Sequence, residues 1–182
     1  MNNRFLLVSS LIGDGLRLNR SIYTGNALYV ETAAISCLTA RPSNDIVKLA
    51  RQHLTRQWWE QRDRWDLFIS QTVMEEIQDG NQEAAAKRVE KAVGLAILPI
   101  TPDIFRISEK IRVAAQIPDE KTADAVHLAL AAFHRMDFLA TWNQKHLGNP
   151  VILEKVKEVI EGQGLKPAIV LTPENLLEME DG

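Results

Sequence analysis

The feature that most constrains the fold of this chain is the alternation of short apolar runs with longer segments of helical period. Five runs of four to six residues occupy positions 28–32, 67–70, 95–100, 138–141 and 168–171. Strands of this length, separated by helices, are typical of crossover connections and parallel pairing. The pattern therefore predicts an α/β fold with a parallel sheet and helices on both faces. Ligands of such sheets bind at the carboxyl ends of the strands, near the topological switch point.

The domain organisation predicted from the sequence is one compact domain with an N-terminal appendage. Residues 1–26 show neither a helical nor a strand period, so we expect a poorly ordered extension followed by a compact domain over residues 27–182. No run approaches the roughly 18 apolar residues of a membrane span, so we expect no membrane association. The chain has a single cysteine, which fits a reducing compartment and leads us to expect a cytoplasmic protein.

The charge distribution limits how this chain can bind nucleic acid. The net charge of −3 excludes capture by bulk positive charge alone. Segment 41–64, however, has six basic and three acidic residues and includes two tryptophans, so it is a candidate phosphate-facing surface, with Arg51 and Arg56 as candidate substrate-binding residues. For the tryptophans themselves we favour packing in the core, because large aromatic side chains dominate cores.

Four oxygen-bearing side chains fall near predicted strand ends. Glu31 ends the first strand, and Glu76 lies on the helix after the second. Asp124 begins a helix, and Asn143 follows the fourth strand. Each alone has an ordinary structural explanation, such as a helix-surface charge or a turn residue. Together they suit a hard divalent cation, Mg²⁺ or Mn²⁺, which prefers oxygen ligands and would keep the clustered acids ionised.

Several short motifs carry a resemblance to a known family. They are Tyr29-Val-Glu-Thr32, Leu38-Thr-Ala-Arg-Pro-Ser43, Trp58-Trp59, Ser70 through Glu76, Ala123-Asp-Ala-Val-His-Leu-Ala-Leu130, and Leu139-Ala-Thr-Trp-Asn143 with His146. With these motifs, residues 28–180 resemble the PIN-domain ribonucleases, and among them the VapC-like toxins of bacterial toxin–antitoxin pairs. The resemblance implies a three-layer α/β/α sandwich around a short parallel sheet.

The resemblance also implies which residues form the site. The family's first-strand Asp corresponds to Glu31, its mid-chain Glu to Glu76 rather than Glu75, and its helix Asp to Asp124. The last acid, commonly an Asp, is Asn143 here. The implied catalytic residues are thus Glu31, Glu76, Asp124 and Asn143, with the first three as metal ligands. This departure at two positions leaves the number of bound metal ions open.

The implied function is hydrolysis of RNA phosphodiester bonds with Mg²⁺ or Mn²⁺ as cofactor. The family is typically paired with a small antitoxin and often forms homodimers, so the resemblance implies both partners. We expect Thr32 or Thr141 to position water or phosphate through its hydroxyl. His127 lies three residues after Asp124 and can face the same region, although a lone histidine on an apolar helix is more often a packed residue.

Two other functions compete with the nuclease hypothesis. A PIN-like module with a weakened acid set would bind RNA or a protein partner without cleaving, and the residues at positions 31 and 143 motivate this alternative. A phosphatase of the haloacid-dehalogenase type would need a strand-end Asp with a second Asp two residues on. Glu31-Thr-Ala33 lacks both.

Overall fold

The computed structural model describes residues 12–13, 17–18 and 26–179. Within the predicted N-terminal extension it shows one antiparallel pair, β1 (Ile12–Gly13) with β2 (Arg17–Leu18). The rest of residues 1–25 lie outside the described residues, so the predicted poor order of the extension stays a prediction. Asn26 already belongs to the first strand of the main sheet.

The main sheet has five parallel strands, as the alternating pattern predicts. The strands are β3 (Asn26–Val30), β4 (Trp65–Ser70), β5 (Ala96–Leu98), β6 (Phe138–Ala140) and β7 (Ile169–Leu171). Their order is β5-β4-β3-β6-β7. The chain extends the sheet from β3 through β4 to β5 and then crosses back to β6 on the other side of β3. The switch point therefore lies at β3, and its carboxyl end is the expected ligand site.

Eight α-helices lie in the described part of the chain. They are α1 (Thr32–Thr39), α2 (Ile46–Glu60), α3 (Gln71–Gln78), α4 (Gln82–Ala92), α5 (Pro102–Ala114), α6 (Thr122–Phe133), α7 (Pro150–Glu161) and α8 (Pro173–Glu178). Helices α1 to α4 pack on one another and α2 on α8, whereas α5 packs on α6 and α7. These two packed groups and the sheet make three layers, so the predicted α/β/α sandwich is confirmed.

Burial explains why the strands are continuous apolar runs. Residues Ala27 to Val30 of the central strand β3 have no exposed surface, because helices cover both faces of the sheet. Of the two tryptophans in segment 41–64, Trp58 is buried in this core and Trp59 packs against it partly buried, in agreement with the packing role expected of them. Within the described residues no helix is both long and apolar enough to cross a membrane.

Helix α2 follows three successive residues that can all cap a helix, at positions 43–45. The cap is Asp45, whose Oδ1 accepts hydrogen bonds from the backbone N–H groups of Val47 (2.9 Å) and Lys48 (3.0 Å). Ser43 instead accepts a hydrogen bond from the Asp45 backbone N–H. A carboxylate here satisfies two N–H groups that the first helical turn leaves without partners.

Candidate metal centre at the carboxyl edge of the sheet

Glu31 follows β3 directly and caps α1. Its Oε2 accepts hydrogen bonds from the backbone N–H of Ala33 (2.9 Å) and from the hydroxyl of Thr141 (2.7 Å). The side chain is only 6% exposed. Burial raises the pKa of Glu31, and the nearby charge of Glu76 adds to that effect, whereas His127 and the two hydrogen bonds oppose it. A buried carboxylate whose pKa is raised in this way is stabilised by any cation that binds to it.

Glu76 reaches the same edge from α3, which Ser70 caps at the end of β4. Its Oε2 accepts a hydrogen bond from the hydroxyl of Thr32 and lies 3.2 Å from Nε2 of His127. Burial acts to raise the pKa of Glu76, but the adjacent imidazole and the Thr32 hydroxyl outweigh it and hold this pKa below its ordinary value. Glu76 is therefore the more firmly ionised of the two glutamates.

His127 belongs to the centre rather than only to the packed core. The side chain is 1% exposed, and its Nδ1 lies 2.8 Å from the hydroxyl of Tyr29, which lies 2.7 Å from Oγ of Ser70. Burial acts to lower the pKa of His127, but Glu76, Glu31 and Asp124 together raise it. Its spacing of three residues from Asp124 was the only sequence pattern that pointed to this position.

Glu31, Glu76 and His127 each place one ligand atom within 4.8 Å of those of the other two, and we call them the Glu31–Glu76–His127 cluster. Three elements that are remote in sequence meet here: the end of β3, helix α3 and helix α6. Asp124 is not part of this tight cluster, although its charge acts on His127. The structure thus brings two of the three predicted metal ligands together and adds a histidine.

Asp124 and Asn143 form a second, adjacent pair. The Asn143 side-chain amide donates a 3.0 Å hydrogen bond to Oδ1 of Asp124, and its own Oδ1 accepts one from the backbone N–H of His146. Burial raises the pKa of Asp124, opposed by His146, His127, Asn143 and Lys121. Oδ2 of Asp124 is buried and has no hydrogen-bond partner among the described residues.

The donor set of this edge fits a divalent cation. A buried carboxylate oxygen without a partner is costly unless a ligand satisfies it, and Oδ2 of Asp124 is such an atom. Carboxylate oxygens are the preferred ligands of Mg²⁺ and Mn²⁺, and imidazole nitrogen suits the first-row transition ions. The residues that could hold the ion are Glu31, Glu76, Asp124 and His127.

The two predicted substrate-binding threonines both contact carboxylates of the protein. Thr141 donates to Glu31 and also accepts a 2.9 Å hydrogen bond from the Asn143 backbone N–H. Thr32 donates to Glu76. Each hydroxyl therefore fixes an acid of the centre in one orientation.

The two predicted substrate-binding arginines lie on α2 in different settings. The guanidinium of Arg51 lies over the ring of Trp142, 5.1 Å from its centroid, and Trp142 stands between Thr141 and Asn143 in the chain. Arg56 instead donates a 3.0 Å hydrogen bond to the carbonyl of Ala40 at the end of α1. Arg51 is thus the arginine that adjoins the loop carrying the centre.

The fold and the centre define a class: a parallel α/β/α sandwich with carboxylates at its switch point. A solved structure with a similar fold is that of Mycobacterium tuberculosis VapC20, described as a Sarcin-Ricin loop cleaving toxin. The two structures superpose with a TM-score of 0.52 at 14% identity, over 65% of this chain and 91% of that one. Neither a family model nor a curated protein matches the sequence. The chain therefore has a PIN-like, VapC-like fold, as the motifs predict.

Proposed function

We propose that this chain is a divalent-metal-dependent endoribonuclease that acts as the toxin of a toxin–antitoxin pair. The observation that carries the proposal is the Glu31–Glu76–His127 cluster at one edge of the sheet, beside a buried Asp124 oxygen that lacks a hydrogen-bond partner among the described residues. A site built from acids at the switch point suits a cation that in turn binds phosphate. The fold shared with the VapC20 toxin supports the same function.

The metal ligands in this proposal are Glu31, Glu76 and Asp124, and the ion is Mg²⁺ or Mn²⁺. When bound, such an ion supplies a water of lowered pKa and offsets the charge on the phosphoryl oxygens. The chain contributes preorganisation: Thr141 holds Glu31, Thr32 holds Glu76, and Asn143 holds Asp124. Because these contacts exist before RNA binds, the acids need little reorganisation during the reaction.

Asn143 supports the binding of one firmly held ion rather than two. Its amide N–H group faces Asp124, and its carbonyl oxygen accepts a hydrogen bond from the backbone of His146. An uncharged side chain engaged in this way adds no negative charge to the centre. We therefore assign Asn143 the role of positioning Asp124.

The substrate in this proposal is RNA, bound beside the centre along α2. The positively charged Arg51 lies over Trp142, next to the two residues that orient Glu31 and Asp124. A guanidinium at this place can pair with a phosphate, and an indole offers a face for base stacking. The description of VapC20 as a Sarcin-Ricin loop cleaving toxin supports RNA as the substrate class.

The biological partners are proposed from the same fold likeness. We propose a small cognate antitoxin, a homodimeric assembly and a cytoplasmic location, as is typical of VapC-like toxins. Expression of the chain alone should then arrest growth, and the Asp124→Asn variant should not. The reading frame next to that of this chain should encode a small DNA-binding protein.

The test of the nuclease activity is cleavage of a mixed RNA pool with Mn²⁺, with Mg²⁺ and with a chelator. The chain offers a matched pair of neighbouring acids on α3: Glu76 is half-buried at the centre, and Glu75 is exposed. Glu76→Gln should abolish cleavage, whereas Glu75→Gln should leave it unchanged. Equal cleavage by wild type, Glu76→Gln and Asp124→Asn would overturn the proposal.

A second candidate function is favoured by Asn143. Since that residue adds no charge, the centre has one acid fewer than the four typical of the family. A PIN-like module with this set could bind RNA or a protein partner without cutting it. Metal binding and RNA binding that both depend on Asp124, without any cleavage in Mn²⁺, would establish this alternative.

A further inference from the structure

A buried imidazole nitrogen is directed at the acidic side chains of the centre. His127 is 1% exposed, and its Nε2 has no aligned hydrogen bond to any described residue. Its nearest acidic atom is Oε2 of Glu76 at 3.2 Å, which is an ion-pair distance. A buried polar atom whose one close partner is poorly aligned can take a better-placed partner. Glu31 also places a carboxylate oxygen within 4.8 Å of a ring nitrogen of His127.

The spacing of the ligand atoms fits shared coordination. Two ligands at about 2.1 Å from one octahedral ion, in neighbouring positions, are about 3.0 Å apart. Nε2 of His127 and Oε2 of Glu76 are separated by 3.2 Å, which is close to this value. Glu31 completes the set within 4.8 Å. One ion can therefore contact all three side chains after small adjustments.

The other ring nitrogen of His127, Nδ1, has a hydrogen-bond partner that orients the ring. Nδ1 is 2.8 Å from the hydroxyl of Tyr29, and that hydroxyl is 2.7 Å from Oγ of Ser70. Metal-binding histidines are oriented in this way, with one ring nitrogen hydrogen-bonded to a second group and the other directed at the ion. Tyr29 lies on β3 and Ser70 at the end of β4, so the sheet itself fixes the ring.

We propose that Nε2 of His127 is a direct ligand of the divalent ion, together with Glu31 and Glu76. This inference deepens the proposed function, because it rests on the same metal centre. A centre with an imidazole ligand favours first-row transition ions over Mg²⁺, whose ligands are almost always oxygens. The cofactor of this chain is then Mn²⁺ or a neighbouring transition ion rather than Mg²⁺.

Calorimetric titration of the full chain with Mn²⁺ and, separately, with Mg²⁺ tests this ligand. Wild type should bind Mn²⁺ more tightly than Mg²⁺. His127→Gln should weaken Mn²⁺ binding by about 10–100-fold or more and should reduce the preference for Mn²⁺. His146→Gln is the control, since His146 is the other histidine whose charge acts on Asp124, and it should keep the preference. An unchanged ratio of the two affinities in His127→Gln would overturn the proposal.

A measurement on wild type does not depend on whether the His127 variant folds. Pulsed electron paramagnetic resonance of the Mn²⁺-loaded chain should show coupling to a nitrogen nucleus, and the coupling should persist in His146→Gln. Absence of the coupling, or its loss in His146→Gln, would overturn the assignment to His127. Neither experiment uses RNA, so both are independent of the cleavage assay described above. Nitrogen coupling together with no RNA cleavage in that assay would refute the nuclease proposal. Asp124-dependent cleavage without nitrogen coupling would refute only the assignment of His127 as a ligand.

Discussion

The hydroxyl of Thr141 donates a 2.7 Å hydrogen bond to Oε2 of Glu31, although 110 residues separate them in the chain. Thr141 follows β6 and Glu31 follows β3, and these two strands are neighbours in the sheet. The bond thus spans the crevice at the switch point. The same hydroxyl accepts a hydrogen bond from the backbone N–H of Asn143. The Thr141 side chain therefore orients both Glu31 and the loop whose Asn143 contacts Asp124.

Thr141→Val should weaken the centre without changing its charge. The variant keeps the shape of the side chain but removes the hydroxyl that orients Glu31 and the Asn143 backbone. Loss of a group that positions a metal ligand typically reduces metal affinity or activity by about 10–100-fold. We expect a reduction of this size in Mn²⁺ affinity, measured by calorimetry, and in cleavage if the nuclease proposal holds.

Thr39→Val is the matched control for that experiment. Among the residues that the structure describes, its hydroxyl bonds only backbone carbonyls of its own helix, those of Ile35 and Ser36. Mn²⁺ affinity should stay at the wild-type value in Thr39→Val. Equal affinities in the two variants would show that the Thr141 hydroxyl does not orient the metal ligands.

Local patterns were sufficient for the strands and for the fold class. Apolar runs and helical periods are encoded within a few residues, so the five strands of the sheet appear within one or two residues of their predicted bounds. The position of Glu31 at the end of β3 follows from the same pattern. Such patterns do not determine the first residue of α2, because several capping residues stand side by side at positions 43–45.

The composition of the centre depends on long-range packing that no local pattern encodes. Tyr29 contacts His127 across 98 residues, and this contact exists only because β3 lies between β4 and β6. The choice of Glu76 over Glu75 came from the family resemblance, and the helix phase shows the physical reason: Glu76 faces the sheet edge, and Glu75 faces solvent. His127 was therefore the residue that the sequence could not assign.

Glu31→Gln should stabilise the metal-free protein at neutral pH. Burial raises the pKa of Glu31 above its ordinary value of 4.5, so the folded state holds its proton more tightly than the unfolded state does. The free energy of unfolding therefore falls as pH rises from about 4.5 through the folded-state pKa. The glutamine carbonyl can still accept both hydrogen bonds but avoids this loss. Thermal unfolding in chelator at pH 7.5 should show a higher Tm for the variant.

The same comparison has two internal checks. Well below pH 4.5 the two proteins should have nearly equal Tm values, because the wild-type carboxyl is then protonated in both states. Saturating Mn²⁺ at pH 7.5 should raise the wild-type Tm more than that of Glu31→Gln, since ligands that bind only the folded state stabilise it. A lower Tm for the variant in chelator at pH 7.5 would contradict the pKa direction.

Trp58→Ala should strongly destabilise the fold. The Trp58 side chain is 1% exposed on α2 and belongs to the main core. Removing a buried tryptophan leaves a cavity and typically costs about 3–5 kcal/mol. Trp59, its neighbour on the same helix, is only partly buried, so Trp59→Ala should cost less. Urea unfolding of both variants measures the difference; equal free energies of unfolding would place Trp58 outside the core.

Arg51→Gln should reduce the salt dependence of RNA binding, whereas Arg56→Gln should not. Arg51 lies over Trp142 beside the centre, where its guanidinium can release one counterion on pairing with a phosphate. Losing one such contact lowers the slope of log affinity against log salt by about 0.7–1. Arg56 is bonded to the Ala40 carbonyl, so its replacement should lower the Tm and leave the slope unchanged. The affinity for single-stranded RNA is measured by filter binding, and every chain also carries Asp124→Asn so that no RNA is cleaved. Equal slopes for both arginine variants would show that Arg51 does not belong to the RNA-binding surface.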